Sequence, residues 1–219
     1  MYYERLILLE SFWKFKERLK KEKLVITTIT LEEAITNAEK IKACKEDLDT
    51  IKSLGSIEAV LKHKKAAYWL YWYARDVIKD RWPEAEEYIK KDSVWAYCYA
   101  REIIKDRWLE AEKYIMKDPK HAYWYAENVI KDRWPETEEY IKKDPEWAYW
   151  YAHNIIKNRW PEAEEYIMKA PEWTYCYARN IIKDRWPEAE KYIMKIQNGH
   201  INMLITLSKI DGLKLKSIL

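Results

Sequence analysis

Apolar residues recur along the chain at helical spacing, and between Trp69 and Lys195 one arrangement of them is written five times. In the fourth copy Ala148, Tyr151, Ala152, Ile155 and Ile156 fall at i, i+3, i+4, i+7 and i+8. That is the stripe of a helix with one face buried. Trp147 and Tyr149 flank the stripe, and Pro145 behind Asp144 is the pattern of a first helical residue behind an N-cap. After the short break Lys157-Asn158-Arg159-Trp160, Pro161 opens a second helix whose apolar side is Trp160, Ala163, Tyr166 and Ile167. Glu162, Glu164 and Glu165 crowd its first turn, where carboxylates favour the helix dipole. Lys169-Ala170-Pro171 restarts the cycle, so each copy predicts two short antiparallel helices joined by a tight turn.

The copies keep strict register. Arg81-Trp82, Arg107-Trp108, Arg133-Trp134, Arg159-Trp160 and Arg185-Trp186 stand 26 positions apart without insertion or deletion. A fixed period of this length marks a stacked repeat architecture. Ahead of the repeats, Leu6, Leu9, Phe12 and Trp13 predict an amphipathic helix over residues 3–21, and the β-branched run Val25–Ile29 reads as an extended linker. Thr30 with Glu33 forms a capping box for a helix carrying Leu31, Ala34, Ile35, Ala38 and Ile41. Leu48, Ile51 and Leu54 form another stripe, stopped by Gly55, and Ser56 caps a short helix with Ile57, Val60 and Leu61. Beyond Lys195, Asn198-Gly199 ends the pattern, and Ile201, Leu204, Ile205, Leu207 and the apolar residues of 213–219 predict a terminal cap. The expected fold is all-α: an α-solenoid of five 26-residue helical-hairpin repeats with helical N- and C-terminal caps. Its parts are residues 1–29 (helix and linker), 30–65 (N-terminal cap), 66–195 (solenoid) and 196–219 (C-terminal cap).

Composition sharpens this picture at two points. The chain has 13 Trp and 18 Tyr against 2 Phe, a bias toward side chains that are apolar in the body and polar at one end, suited to surfaces buried on one side and wet on the other. The formal net charge of +3 is carried by the flanking segments, while the repeat region is slightly acidic. A general nucleic-acid binder would show a basic body. Cys44, Cys98 and Cys176 are too far apart in sequence for a metal motif and too few for a disulfide framework, which points to a reducing compartment. The N-terminus lacks the basic and small-residue features of a signal peptide, and no apolar run approaches membrane-spanning length. A cytoplasmic protein is the expectation.

Chemistry finds little support. Gly55, Gly199 and Gly212 lie in no phosphate loop, and His63, His121, His153 and His200 occupy unrelated repeat positions without a second ligand at metal spacing. No catalytic, cofactor-binding or metal-binding residue is assigned, and an enzyme is not expected.

Comparing the copies with one another separates two sets of positions. Every copy keeps a Tyr-Ala pair (Tyr99-Ala100), the Ile that ends helix one, the Arg-Trp pair, two Glu of helix two (Glu84 and Glu86) and a Tyr-Ile pair (Tyr88-Ile89). Packing accounts for the apolar members. The ladder Arg81, Arg107, Arg133, Arg159 and Arg185 has two readings: forks closed on helix-two carboxylates, or a row of guanidiniums beside Trp rings able to hold phosphates and stack on bases. Other positions vary. One reads Trp72, Cys98, Trp124, Trp150, Cys176; another reads Arg75, Arg101, Glu127, His153, Arg179; the next reads Asp76, Glu102, Asn128, Asn154, Asn180. They lie on helix one away from its Ala stripe, and an exposed face of Trp and mixed charge is typical of partner contacts. The candidate partner-binding residues are therefore Trp72, Arg75, Arg101, Trp124, Trp150, His153 and Arg179. Cys98 and Cys176 read as fillers where other copies carry Trp.

The runs Tyr73-Ala74-Arg75-Asp76-Val77-Ile78-Lys79-Asp80-Arg81-Trp82-Pro83-Glu84-Ala85-Glu86 and Leu31-Glu32-Glu33-Ala34 resemble a group of short-helix repeat proteins common in bacteriophages and prophages. The likeness covers residues 66–195. Leu109 in place of Pro, Ser93 and Ala170 at two Asp-Pro turns, and Asp or Asn where Gly often precedes Arg are departures. The resemblance implies a viral or prophage setting, and with it the cytoplasm of a bacterial host. The expected function is that of a non-enzymatic interaction protein binding a host protein, for instance to inhibit a defence system such as an RNA-guided (CRISPR) nuclease. Binding of nucleic acid or an anionic nucleotide along the Arg-Trp ladder is the first alternative, and a structural spacer or self-assembling scaffold the second.

Overall fold

A computed structural model describes residues 29–190. The helix expected over 3–21, the linker up to residue 28 and the C-terminal cap lie outside the described residues. The chain divides into two compact units, Met1–Lys91 and Asp92–Leu219. Among the described residues every regular element is helical.

In the first unit α1 (Leu31–Lys40), α2 (Lys45–Leu54) and α3 (Ile57–Lys62) precede the first hairpin. The Thr30 capping box forms in full, Gly55 ends α2 in the left-handed region at φ 70°, and Ser56 accepts from the Ala59 N–H. A Lys52–Glu39 ion pair at 2.6 Å links α2 to α1. Lys65 reaches Asp47 at 2.9 Å, and the Asn37 amide donates to the Tyr73 hydroxyl at 3.2 Å, which ties the cap helices to the first hairpin. That hairpin is α4 (Ala66–Tyr73), a π-helical turn π1 (Ala74–Ile78), and α5 (Pro83–Ile89).

The second unit repeats the hairpin as α6 (Ser93–Tyr99), π2 (Ala100–Ile104) and α7 (Leu109–Ile115); α8 (Pro119–Tyr125), π3 (Ala126–Ile130) and α9 (Pro135–Ile141); and α10 (Pro145–Tyr151), π4 (Ala152–Ile156) and α11 (Pro161–Ile167). The fifth copy gives α12 (Pro171–Tyr177) and π5 (Ala178–Ile182), and residues 187–190 begin its second helix. In the second unit each first helix packs on the first helix of the next copy (α6 on α8, α8 on α10, α10 on α12), and α8 and α10 each pack on the second helix to either side. This is α-solenoid packing. Asp92, Asp118 and Asp144 cap α6, α8 and α10 through their side chains, whereas Ala170 leaves α12 without a side-chain cap.

The core between helices follows the small-large alternation of the sequence. Ala96, Tyr99, Ala100, Ala111 and Ile115 are fully enclosed, as are Ala148, Tyr151, Ala152, Ala163 and Ile167 two copies later. Each enclosed Ile contributes roughly 1.5–3 kcal/mol relative to an exposed one. Thr137 replaces an Ala of this core and remains satisfied, its hydroxyl donating to the Met116 carbonyl at 3.3 Å.

The stripe expected to run from Ala148 to Ile156 breaks at Ala152. Beyond it the helix widens to a π-turn, closed by an i→i−5 bond from the Lys157 N–H to the Ala152 carbonyl at 2.7 Å. The extra residue in the turn rotates Ile155 and Ile156 off the Ala stripe, so both are only half-buried. The same closure occurs in all five copies and leaves Lys79, Lys105, Lys131, Lys157 and Lys183 in the left-handed region at φ 57–61°. A residue with a Cβ is strained there by roughly 1–2 kcal/mol.

Candidate functional site

The conspicuous Arg-Trp-Pro-Glu signature closes on itself. Arg107 Nε and Nη2 donate to the two carboxylate oxygens of Glu112, both at 2.8 Å, and Arg81–Glu86, Arg133–Glu138, Arg159–Glu164 and Arg185–Glu190 repeat this fork-on-fork geometry at 2.6–3.0 Å. The paired carboxylate holds the arginine pKa above its ordinary value in the second to fifth copies. The neighbouring tryptophans Trp82, Trp108, Trp134, Trp160 and Trp186 are buried, each tilted against the Tyr of its own first helix at ring separations of 5.1–5.4 Å. Two donors of each ladder guanidinium are thus engaged, and the ring beside it is no open stacking platform.

The same Tyr joins one copy to the previous one. The hydroxyl of Tyr125 accepts from the Trp108 backbone N–H at 2.6 Å and donates to Glu112 at 3.2 Å. Tyr151 does so with Trp134 and Glu138, and Tyr177 with Trp160 and Glu164. Burial first, and the adjoining carboxylate second, push these phenols well above the ordinary tyrosine range. Sequence reading assigns these tyrosines to packing alone; their hydrogen-bonding role carries no periodic signal.

The variable positions form a second row of contacts. Tyr97, Tyr123 and Tyr149 receive the Asn128, Asn154 and Asn180 side chains of the following copy at 3.3, 2.7 and 2.8 Å. The residue between them varies in step with the proton it must give or take. Arg101 donates to the Tyr97 hydroxyl at 3.0 Å, whereas Glu127 accepts from the Tyr123 hydroxyl at 2.7 Å. His153 sits 2.6 Å from the Asn154 side-chain oxygen, and Arg179 is exposed. In the first unit Arg75 donates to Tyr71 at 3.0 Å and forks onto Asp76. Variation at Arg75, Arg101, Glu127 and His153 is therefore partly internal bookkeeping of donors and acceptors.

Tryptophans of this face meet in a row along the second unit. Trp124 lies edge-on to Trp147 at 5.9 Å, and Trp150 edge-on to Trp173 at 6.4 Å. Tyr97 backs Trp124, Tyr123 stacks on Trp147 at 5.7 Å, and Tyr149 touches both Trp150 and Trp173. Lys120 holds its ammonium 4.7 Å from the Trp124 ring centre and 6.0 Å from that of Trp147. Trp124, Trp147, Trp150 and Trp173 remain half-exposed. The structure thus sets the predicted Trp124 against Trp147 and Lys120, and the predicted Trp150 against His153 and Trp173. The column Trp69, Trp95, His121, Trp147, Trp173, aromatic in all five copies, is the signal that would have found Trp147 and Trp173. Trp72 and Arg75 belong to the first unit.

Cys98 and Cys176 are half-exposed, and burial pushes the Cys176 thiol up, away from thiolate chemistry. Among the described residues no three His, Cys, Asp or Glu side chains converge to hold a metal, and no helix is long and apolar enough to cross a membrane. The architecture defines a helical-repeat protein. No family model, curated protein or solved structure matches the chain.

Proposed function

We propose that this is a non-enzymatic interaction protein whose second unit presents the aromatic row to a protein partner. The observation that carries the reading is two edge-on pairs of half-exposed tryptophans in successive copies, Trp124 with Trp147 and Trp150 with Trp173, held by buried tyrosines, the first pair edged by Lys120. Trp and Tyr side chains dominate binding energetics at protein interfaces, and here the rings already pack against one another and against buried tyrosines, which lowers the cost of ordering them on binding. The paired ladder arginines and buried ladder tryptophans favour this face over nucleic-acid binding along the ladder. In its finer form the partner is a host protein, in the phage or prophage setting that the repeat resemblance implies. Inhibition of a defence nuclease is one such activity.

Full-length chain immobilised in host lysate is expected to retain a stoichiometric protein that a Trp124→Cys/Trp150→Cys variant releases. Cys is what the second and fifth copies carry at this position, so the variant keeps a side chain the repeat already accepts. Absence of any stoichiometric partner, or equal retention by the variant, overturns the reading.

A further inference from the structure

An open groove of about 450 Å³ lies in the first unit, where the loop after α1 faces π1. Its walls are Ile41, Lys42, Ala43 and Cys44 on one side and Trp72, Arg75, Asp76 and Lys79 on the other. Arg75 and Asp76 neutralise each other through the fork between them. Lys42 and Lys79 are exposed, and among the described residues neither ammonium has an anionic partner within 4 Å. The groove is therefore electropositive by two charges. Both lysines are held in the left-handed region, at φ 58° and 61°, where Gly or Asn would be accommodated with less strain.

The third feature is the Trp72 indole. It stays half-exposed in the groove wall. A flat aromatic wall beside two uncompensated ammonium groups, in a volume within the range of small-ligand sites, matches a ligand with a planar ring at one end and a compact negative charge at the other. We propose that this groove binds a small ring-bearing anion of the nucleoside mono- and diphosphate class, its phosphate between Lys42 and Lys79 and its ring on Trp72. A phosphate at this point gains charge-assisted hydrogen bonds from both ammonium groups. Only the first copy has the α1 loop opposite it, so the site is single although the lysine of π1 is repeated.

The test is calorimetric titration of the full chain with ADP, pyrophosphate and adenosine separately. ADP is expected to bind one per chain and at least about tenfold more tightly than either half alone. Lys42→Asn/Lys79→Asn should weaken ADP by about tenfold or more, while Lys131→Asn, the same repeat position away from the groove, should leave it unchanged. Trp72→Cys, the residue of the second and fifth copies, should weaken ADP and leave pyrophosphate unaffected. ADP should also slow alkylation of Cys44, the exposed cysteine in the groove wall, without slowing that of Cys98 or Cys176. Circular dichroism checks that each variant keeps its helix content. The proposal is overturned if folded wild-type chain takes up no ADP at millimolar concentration. Equal affinity for ADP and pyrophosphate, or binding indifferent to the Lys42 and Lys79 substitutions, overturns it as well.

Discussion

Tyr125 places one phenol oxygen within 2.6 Å of the Trp108 N–H and 3.2 Å of Glu112, in a part of the molecule closed to water. Removing the oxygen and nothing else strands a buried backbone donor. Tyr125→Phe is expected to destabilise the chain by about 1–3 kcal/mol, read from the urea midpoint. Tyr140→Phe, at an exposed ring, should stay within about 0.5 kcal/mol of wild type. Alkali probes the same groups together. Burial raises the folded pKa values of Tyr125, Tyr151 and Tyr177 above the ordinary tyrosine value of about 10, so the folded state holds these protons more tightly than the unfolded chain. Their contribution is complete below pH 10 and is lost as the pH climbs from there toward the folded values. Unfolding followed by circular dichroism should coincide with tyrosinate absorbance, and Tyr125→Phe should flatten the pH dependence. At this scale the sequence was half legible. A fork-shaped cation with a carboxylate five residues on announces the Arg107–Glu112 pair, whereas nothing in an apolar period says where a hydroxyl on its buried face will find a partner.

At the scale of elements, the first helices of the second unit differ mainly in their starts. Asp92, Asp118 and Asp144 accept backbone N–H bonds at their helix ends, and Ala170 cannot. Ala170→Asp is expected to stabilise the chain by about 0.5–2 kcal/mol, measured as a higher urea midpoint with unchanged m-value. This difference is readable in the sequence, because Asp is a strong N-cap signal and its loss at Ala170 stands out against Asp92, Asp118 and Asp144. The helix ends were not readable. A π-turn preserves the apolar spacing up to Ala152 and departs only afterwards. The left-handed residue that closes it is Lys157 rather than the Gly that usually marks such a stop. A constant helical period would carry Ile155 and Ile156 along the stripe, and the π-turn breaks that period.

For the molecule as a whole, the unbroken 26-residue spacing makes the hairpin stack legible in the sequence alone. Where the chain divides into compact units was not, since the boundary after Lys91 falls inside the repeats. Equivalent junctions imply that one copy is dispensable to the fold. Deleting residues 118–143 joins Lys117 to Asp144, and so restores the same helix start in the same register. The shortened chain should keep its helix content per residue, and its m-value should fall in proportion to the surface lost. Deleting only residues 118–130 leaves an unpaired helix and should abolish cooperative unfolding.

The tyrosine joints of the second unit also bear on how quickly the chain finds its structure. They connect residues 13, 17 or 31 positions apart, a reach no longer than one hairpin and its neighbour. No distant segment has to be awaited, so the loop-closure entropy opposing each step stays small and contact order stays low. Each hairpin has its docking surface ready as soon as the one before it has formed. During synthesis the stack can therefore grow one repeat at a time behind the ribosome, with each newly placed phenol latching onto the last completed turn.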